Sequence, residues 1–411
     1  MLGKNKITLL SLSLASLISL SVHAKPHEHI IVAPNCLVKN LALNATYKTL
    51  ASTSKLTLIT TQEIKSFIVA KHKRSSIPCG GFIDVTNAWQ EYNIKLNPTS
   101  QRSNHFLKNY EKIPRQQLKQ YSIQYPDQVN EVFKQLNADD MWSDLTAFTN
   151  TSSDQFPDRY PNSATGIKAA TWLQNKIDTL AKEHNRSDIS IYTVATGTSY
   201  KQPSVVVKIG NSNEPGIIIG GHMDTLSSSR ELKPGADDDG SGSMTVMGIA
   251  KALIKSDMHF KKPIYIIWYS AEEQGLVGSS YVVKDFKAKK IPVYAVIQFD
   301  MTGYAYKNDP TLWIVNDYVN SDLTRYLSEL VKTYVKQPVG ETRCGYACSD
   351  HASWYQAGFT ASFPFEASFN NDNPYIHTSK DKMNVLSLSH MSDYAKLGLA
   401  FAVELAEPAS Q

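Results

Sequence analysis

The chain has 411 residues, 42% of them hydrophobic and 19% charged, with a formal net charge of +4. That composition excludes a disordered, collagenous or low-complexity chain and leaves room for one large domain plus a smaller one. The charge is divided unevenly: residues 25–107 carry 10 Lys/Arg against 4 Asp/Glu, and residues 108–411 carry 30 against 34. No aromatic-basic motif accompanies the basic segment, so nucleic-acid binding gains no support. A basic piece lying on an acidic one is an equally natural reading.

In chain order, Lys4 and Lys6 precede an apolar, serine-rich run from Ile7 to Leu20, and Val22-His23-Ala24 places small residues at a cleavage position. Residues 1–24 therefore read as a secretory signal peptide cut after Ala24. The run is short for a membrane span, and no later apolar stretch is long enough, so the mature chain is expected to be secreted and free of the membrane. Four cysteines, Cys36, Cys79, Cys344 and Cys348, suit an oxidising compartment. They permit three pairings. Pairing within each region, Cys36–Cys79 and Cys344–Cys348, is preferred, with a zinc site made of all four as the rival.

Residues 25–107 contain β-rich runs at Leu56–Thr60 and Gly81–Val85 with a helical stretch, Gln62 to His72, between them. This reads as a small α+β unit, a prosegment or accessory domain, followed by a polar linker at Asn97–Asn104. Residues 108–411 form the larger domain. Asn130–Leu136, Met141–Phe148 and Thr165–Glu183 read as helices. Apolar runs bounded by turn residues follow at Gly216–Gly220, Pro263–Tyr269, Val293–Phe299, Leu312–Val315 and Ala361–Phe365. Such runs suit strands buried on both faces. Gly242–Ser256 places Val246, Met247, Ala250, Leu253 and Ile254 on one helical face. The alternation predicts an α/β fold, a mostly parallel or mixed central sheet with helices on both faces, whose ligands gather beyond the strand ends.

Chemistry-bearing residues stand at those ends. The first run is followed by Gly221-His222-Met223-Asp224, the second by Ala271-Glu272-Glu273-Gln274-Gly275 and the third by Asp300. Pro234-Gly235-Ala236-Asp237-Asp238-Asp239 opens the covering helix, and His377 stands in Asn373-Pro374-Tyr375-Ile376-His377. Singly, each is explained by a loop histidine, a helix cap or a favourable charge at a helix start. Jointly, they supply the nitrogen and carboxylate donors that suit zinc. A metal pair needs a bridging carboxylate, ligands on both sides, and an unliganded carboxylate to move a proton.

These motifs, with Cys344-Gly345-Tyr346-Ala347-Cys348-Ser349-Asp350-His351, resemble the secreted bacterial leucyl aminopeptidases of the M28 metallopeptidase family over about residues 125–405. The resemblance implies a phosphorylase/hydrolase-like fold and two zinc ions per chain, with Asp238 bridging them. His222 and Asp300 would complete one site, and Glu273 and His377 the other. It implies Glu272 as general acid/base, Asp224 orienting His222, Asp239 as a further supporting carboxylate, and a cis peptide between Asp238 and Asp239. It also implies a Cys344–Cys348 disulfide that fixes Tyr346 for a hydrogen bond to the tetrahedral intermediate. The pocket for the first side chain would be Met301, Phe365, Phe369 and Ile376, favouring Leu-type residues. Asp372 departs from the aromatic residue of leucine-preferring relatives and offers a Lys/Arg preference as the alternative. The expected partners are peptides with a free N-terminus, acted on by a monomer whose N-terminal unit is removed near residues 97–115. The rivals are a carboxypeptidase using Arg343, a one-metal glutaminyl cyclase, and a non-catalytic binding protein on the same fold.

Overall fold

Alternating β-branched and aromatic residues build the centre of the large domain. Strands β5 (Ile189–Val194), β6 (Ser204–Ile209), β7 (Gly216–His222), β8 (Ile264–Tyr269), β9 (Val293–Gln298) and β12 (Ala361–Ser362) form one six-stranded sheet, ordered β12-β9-β7-β8-β6-β5. The computed structural model describes residues 28–41, 45–71, 81–94, 101–112, 119–152, 155–227 and 231–409. The expected signal peptide, residues 1–24, and Cys79 lie outside the described residues.

The sheet is mixed. β12, β9, β7 and β8 run parallel, while β6 and β5 are antiparallel to their neighbours. Every residue of β7 and β8 is buried. Successive side chains point to opposite faces, so Ile217, Ile219, Ile264, Ile266 and Trp268 enter one core, and Ile218, Tyr265, Ile267 and Tyr269 enter the other. The first core lies under α5 (Pro126–Phe133), α6 (Ala138–Phe148), α7 (Ala164–Glu183), α8 (Gly242–Lys255), α10 (Ser321–Leu330) and α12 (Leu388–Ala406). The second lies under α9 (Val277–Ala288) and α11 (His351–Gln356), where the buried Trp354 indole donates to the Tyr269 hydroxyl at 2.8 Å. Side-chain caps start several helices: Asn137 for α6, Ser163 for α7 and Ser387 for α12. The apolar face expected on α8 is buried, and so is nearly all the rest of that helix, because α12 and α6 close over its outer side.

Three expectations change. The run Leu312–Val315 is not in the main sheet. As β10 it pairs with β11 (Val339–Thr342) and β13 (Pro364–Phe365) in a separate three-stranded sheet. The run Ala361–Phe365 divides at Phe363, its first part pairing with β9 and its second with β10. Apolar character alone cannot say which sheet a buried strand joins. The expected linker also changes, because residues 101–104 begin α4 (Gln101–Tyr110), which sends Phe106 and Leu107 into the core of the N-terminal unit. That unit holds β1 (His29–Pro34), β2 (Lys48–Ser52), β3 (Leu56–Thr61) and β4 (Ile83–Asp84), ordered β2-β3-β1-β4, with α1 (Asn35–Lys39), α2 (Lys65–Lys71) and α3 (Thr86–Ile94).

Close packing positions the turn after β8. A side-chain carbon added at Gly278, in the first turn of α9, would lie 2.0 Å from the Ser270 carbonyl oxygen, immediately before the Glu272-Glu273 turn. Substitution Gly278→Ala is expected to destabilise the protein by about 1–3 kcal/mol. Urea unfolding of the variant measures this, and an unchanged midpoint would refute the packing argument.

Candidate active site

Parallel neighbours end on the same side of a sheet, so β7, β8 and β9 deliver their following residues to one rim. His222 closes β7, Glu272 and Glu273 follow β8 by a short turn, and Asp300 follows β9. Asp238 comes from the turn before α8, and His377 from the irregular segment between β13 and α12. The five expected ligands converge as two clusters, His222–Asp238–Asp300 and Asp238–Glu273–His377, each with donor atoms within 4.8 Å of one another.

Asp238 belongs to both clusters. Its Oδ1 lies 3.1 Å from His222 Nε2 and its Oδ2 lies 2.7 Å from His377 Nε2. Glu273 Oε2 is 3.1 Å from His377 Nε2, and Asp300 Oδ1 is 3.7 Å from His222 Nε2. Asp300 Oδ1 is buried without a hydrogen-bond partner. All five side chains are buried or nearly so.

The electrostatics fit cations. Burial alone would lower His377, but Glu273 and Asp238 outweigh it and raise the imidazole to about 10. Burial would likewise lower His222, and Asp300, Asp224 and Asp238 instead raise it well above its ordinary value. Burial would raise Asp238, yet His377 and His222 hold it well below the carboxylate range. With protein groups alone, the clustered carboxylates favour the protonated imidazoles. Divalent cations would take over that balance and displace the protons, as nitrogen–carboxylate donor sets do.

A second layer of contacts fixes the ligand turns. The peptide between Asp238 and Asp239 is cis. Asp239 Oδ2 accepts from the His222 amide at 2.9 Å, and its Oδ1 accepts from the amides of Gly242 at 2.9 Å and Met301 at 3.1 Å. One carboxylate thus joins the end of β7, the start of α8 and the residue after Asp300. Its room depends on Gly242, where an added side-chain carbon would sit 2.2 Å from Asp239 Oδ1. Asp224 Oδ1 lies 3.4 Å from His222 Nδ1, in place to orient that ring. Its shorter contacts serve the neighbouring turn, accepting from the amides of Glu272 at 2.9 Å and Glu273 at 3.3 Å.

Several supporting residues were not legible in the sequence. Arg159 is fully buried, donating from Nε to the Met223 carbonyl at 2.8 Å, from Nη1 to Pro234 at 2.6 Å and from Nη2 to Gly235 at 2.8 Å. Burial pushes the guanidinium down to about 10, still charged at neutral pH. Asp381 accepts from the amides of Asp237 at 3.0 Å and Asp238 at 3.1 Å. Asn373 donates to Asp237 at 2.9 Å. Glu366 accepts from the amides of Asn373 and Tyr304, and burial together with Asp237 raises its carboxyl well above the usual range. Only Asn373 lies inside a recognisable motif. Arg159 carries no signal beyond being an arginine among turn residues.

Beside the clusters, Met301, Phe365, Phe369 and Ile376 gather with Val315, Phe363, Cys344 and Tyr346 in one apolar group. Cys344 and Cys348 form the expected disulfide. Cys36 is also disulfide-bonded, and its expected partner Cys79 lies outside the described residues. The Tyr346 and Phe369 rings meet edge-on at 5.9 Å. Asp372 is half-buried and stands outside that apolar group. Arg343 is exposed.

The model of peptidase family M28 matches residues 204–402. The chain is 36% identical to leucine aminopeptidase 1 of Penicillium rubens over 297 residues, covering 69% of this chain and 76% of the relative. It superimposes on the Legionella pneumophila LapA aminopeptidase with a TM-score of 0.84 and 40% identity, over 94% of this chain and 100% of that one. The Legionella pneumophila protein LapB matches with the same score, 37% identity, and 93% and 100% coverage. With a curated relative of this identity and coverage, and with both clusters assembled at the strand ends, the chain belongs to peptidase family M28.

Proposed function

We propose that His222, Asp238 and Asp300 hold one zinc ion, that Asp238, Glu273 and His377 hold a second, and that Glu272 is the general acid/base of peptide hydrolysis. The chain is a metallo-aminopeptidase that cleaves the N-terminal bond of peptides, preferring hydrophobic first residues. The observation that carries the reading is the single Asp238 carboxylate with one oxygen toward each imidazole. That arrangement suits two neighbouring ions better than the one-metal cyclase alternative. Relatives named leucine aminopeptidase favour hydrolysis over a non-catalytic role.

When bound, zinc supplies Lewis-acid polarisation of the scissile carbonyl and acidifies water at the site. The chain's own residues do the rest. Glu272, buried and with its amide anchored on Asp224, accepts the proton of the attacking water and returns it to the leaving amine. The carboxylate-rich rim attracts the free α-ammonium group of the substrate. Met301, Phe365, Phe369 and Ile376 receive an apolar first side chain and exclude water from it. In this reading Tyr346, which lies inside the disulfide loop and against Phe369, donates to the developing oxyanion.

The N-terminal unit, residues 25–107 extended by α4, is proposed to be a removable cover on a secreted, monomeric enzyme. The Asp84 amide donates to the Gly275 carbonyl at 3.0 Å, two residues beyond Glu273. Gly81 lies against the Tyr346 ring, where an added side-chain carbon would come within 2.3 Å. Glu91 pairs with Lys284 of α9. Among the described residues no helix is long and apolar enough to cross a membrane.

Three outcomes are expected. Glu272→Gln should lower kcat by about 10²–10⁴-fold with two zinc ions still bound, measured by steady-state rates and metal analysis. Near-wild-type turnover would remove Glu272 from its role, and one ion per wild-type chain would remove the pair. Leu-p-nitroanilide should be turned over faster than Lys-p-nitroanilide by the wild type. If Asp372→Ala abolishes a dominant Lys activity, the preference is basic instead. Proteolytic removal of the N-terminal unit should raise kcat/KM, and equal activity of the intact and cut forms would mean that the unit does not cover the site.

A further inference from the structure

We propose that Lys233, braced by Glu231, is a positioning residue that sets the hold of the Glu273/His377 site on its metal ion. The proposal rests on the two-ion reading above.

His377 sits in an irregular segment and has a left-handed backbone, φ 63°. That region is disfavoured for a residue with a side-chain carbon, so the surroundings must hold it there. The carbonyl oxygen of His377 accepts from Lys233 Nζ at 2.8 Å. Lys233 Nζ also lies 2.8 Å from Glu231 Oε2. Glu231 Oε1 in turn accepts from the Ser379 amide at 3.1 Å and from the Ser379 hydroxyl. The clasp therefore grips the ligand-bearing segment at His377 itself and two residues beyond.

Where the clasp comes from matters more than its strength. Lys233 stands five positions before Asp238, the other histidine-facing ligand of the same cluster. One short segment thus supplies Asp238 and holds the backbone of His377. The contact ties the backbone of His377 to the segment that carries Asp238, which fixes the separation of the two ligands before an ion arrives. The inner ties of the same segment, Asn373 on Asp237 and Asp381 on the amides of Asp237 and Asp238, attach four residues to either side of His377. Those ties keep the segment in place without Lys233. The clasp has the narrower task of directing the histidine. The clasp holds His377, which belongs to one cluster, and is joined to Asp238, the shared ligand, only through the chain, so the effect falls on the ion held with Glu273 and His377.

The expected magnitude follows from the position of the clasp. Lys233 is mostly buried and Glu231 partly exposed, with side-chain exposures of 12% and 41%. Outer partners of metal ligands change affinity about 10–100-fold, and a clasp at the rim belongs at the lower end, about tenfold.

The full-length protein loaded with zinc would be titrated with a chromophoric zinc chelator, following release of each ion, with thermal unfolding measured alongside. Lys233→Met should release one ion per chain about tenfold more readily and leave the other as in wild type, with little change in Tm. The labile ion should be the one missing from His377→Ala. Lys233→Arg, which keeps a donor, should restore retention, and Glu231→Gln should give an intermediate loss. Wild-type retention of both ions in Lys233→Met overturns the proposal, as does equal weakening of both ions with a lowered Tm, which would mark a structural role. A wild-type chain that never carries two ions overturns the underlying two-ion reading instead, and is seen before any variant is made.

Discussion

The arrangement of the large domain follows from the Asp238 carboxylate, held out of water between two imidazoles. A buried carboxylate is tolerated only if it is paired, and Asp238 is paired on both oxygens. Around it stand Asp239, Glu273 and Asp300, so like charges crowd a buried cleft. Such a group is costly to assemble and persists only if the backbone beneath it is rigid and positive charge is supplied. The sheet provides the first requirement. Bound metal would answer the second better than protons on His222 and His377 do, because it would take the lone pairs of the imidazole nitrogens.

Rigidity comes from sharing. Asp239 takes amides from three separate elements, Asp224 takes the two amides of the Glu272-Glu273 turn, and Arg159 takes the carbonyls of Met223, next to His222, and of Pro234 and Gly235, ahead of Asp238. None of these groups needs to touch substrate. Each charged side chain has its hydrogen-bonding capacity used on backbone, and that offsets its desolvation while locking the turns together. The same pattern explains why fully buried strands end in polar residues: the apolar body of β7, β8 and β9 makes the platform on which a charged rim can be kept in register.

Much of this was legible before any coordinates. The strand ends were marked by turn residues, the covering helices by 3.6-residue periodicity, and the site by donor residues recurring at each strand end. What escaped did so for physical reasons. The division of Ala361–Phe365 between two sheets depends on which neighbours accept its backbone, which the run itself does not encode. Helix α4 hid inside a polar stretch because only Phe106 and Leu107 are buried. Arg159, Glu366, Asp381 and Lys233 act through backbone groups remote in sequence, so neither spacing nor composition marks them.

The N-terminal unit touches the cleft at its edges rather than at its centre. Its contacts fall on Gly275, beyond the Glu272-Glu273 turn, on Tyr346, on Leu276, Ala347 and Ala352 through Ile83, and on Lys284, while the five clustered donors face one another. A cover that supplied a ligand would have to be torn from the metal when removed. On the proposed removal, a unit held instead by the Asp84–Gly275 hydrogen bond, by Ile83 packed against Leu276, Ala347 and Ala352, by the Gly81–Tyr346 contact and by the Glu91–Lys284 ion pair would leave without taking a ligand. The exposed ion pair and the single hydrogen bond each contribute about 1 kcal/mol, and the packing of Ile83 adds apolar surface that release would return to water. If the unit is the proposed cover, metal loading and uncovering of the cleft would be separate events, because the clustered donors come from the large domain alone.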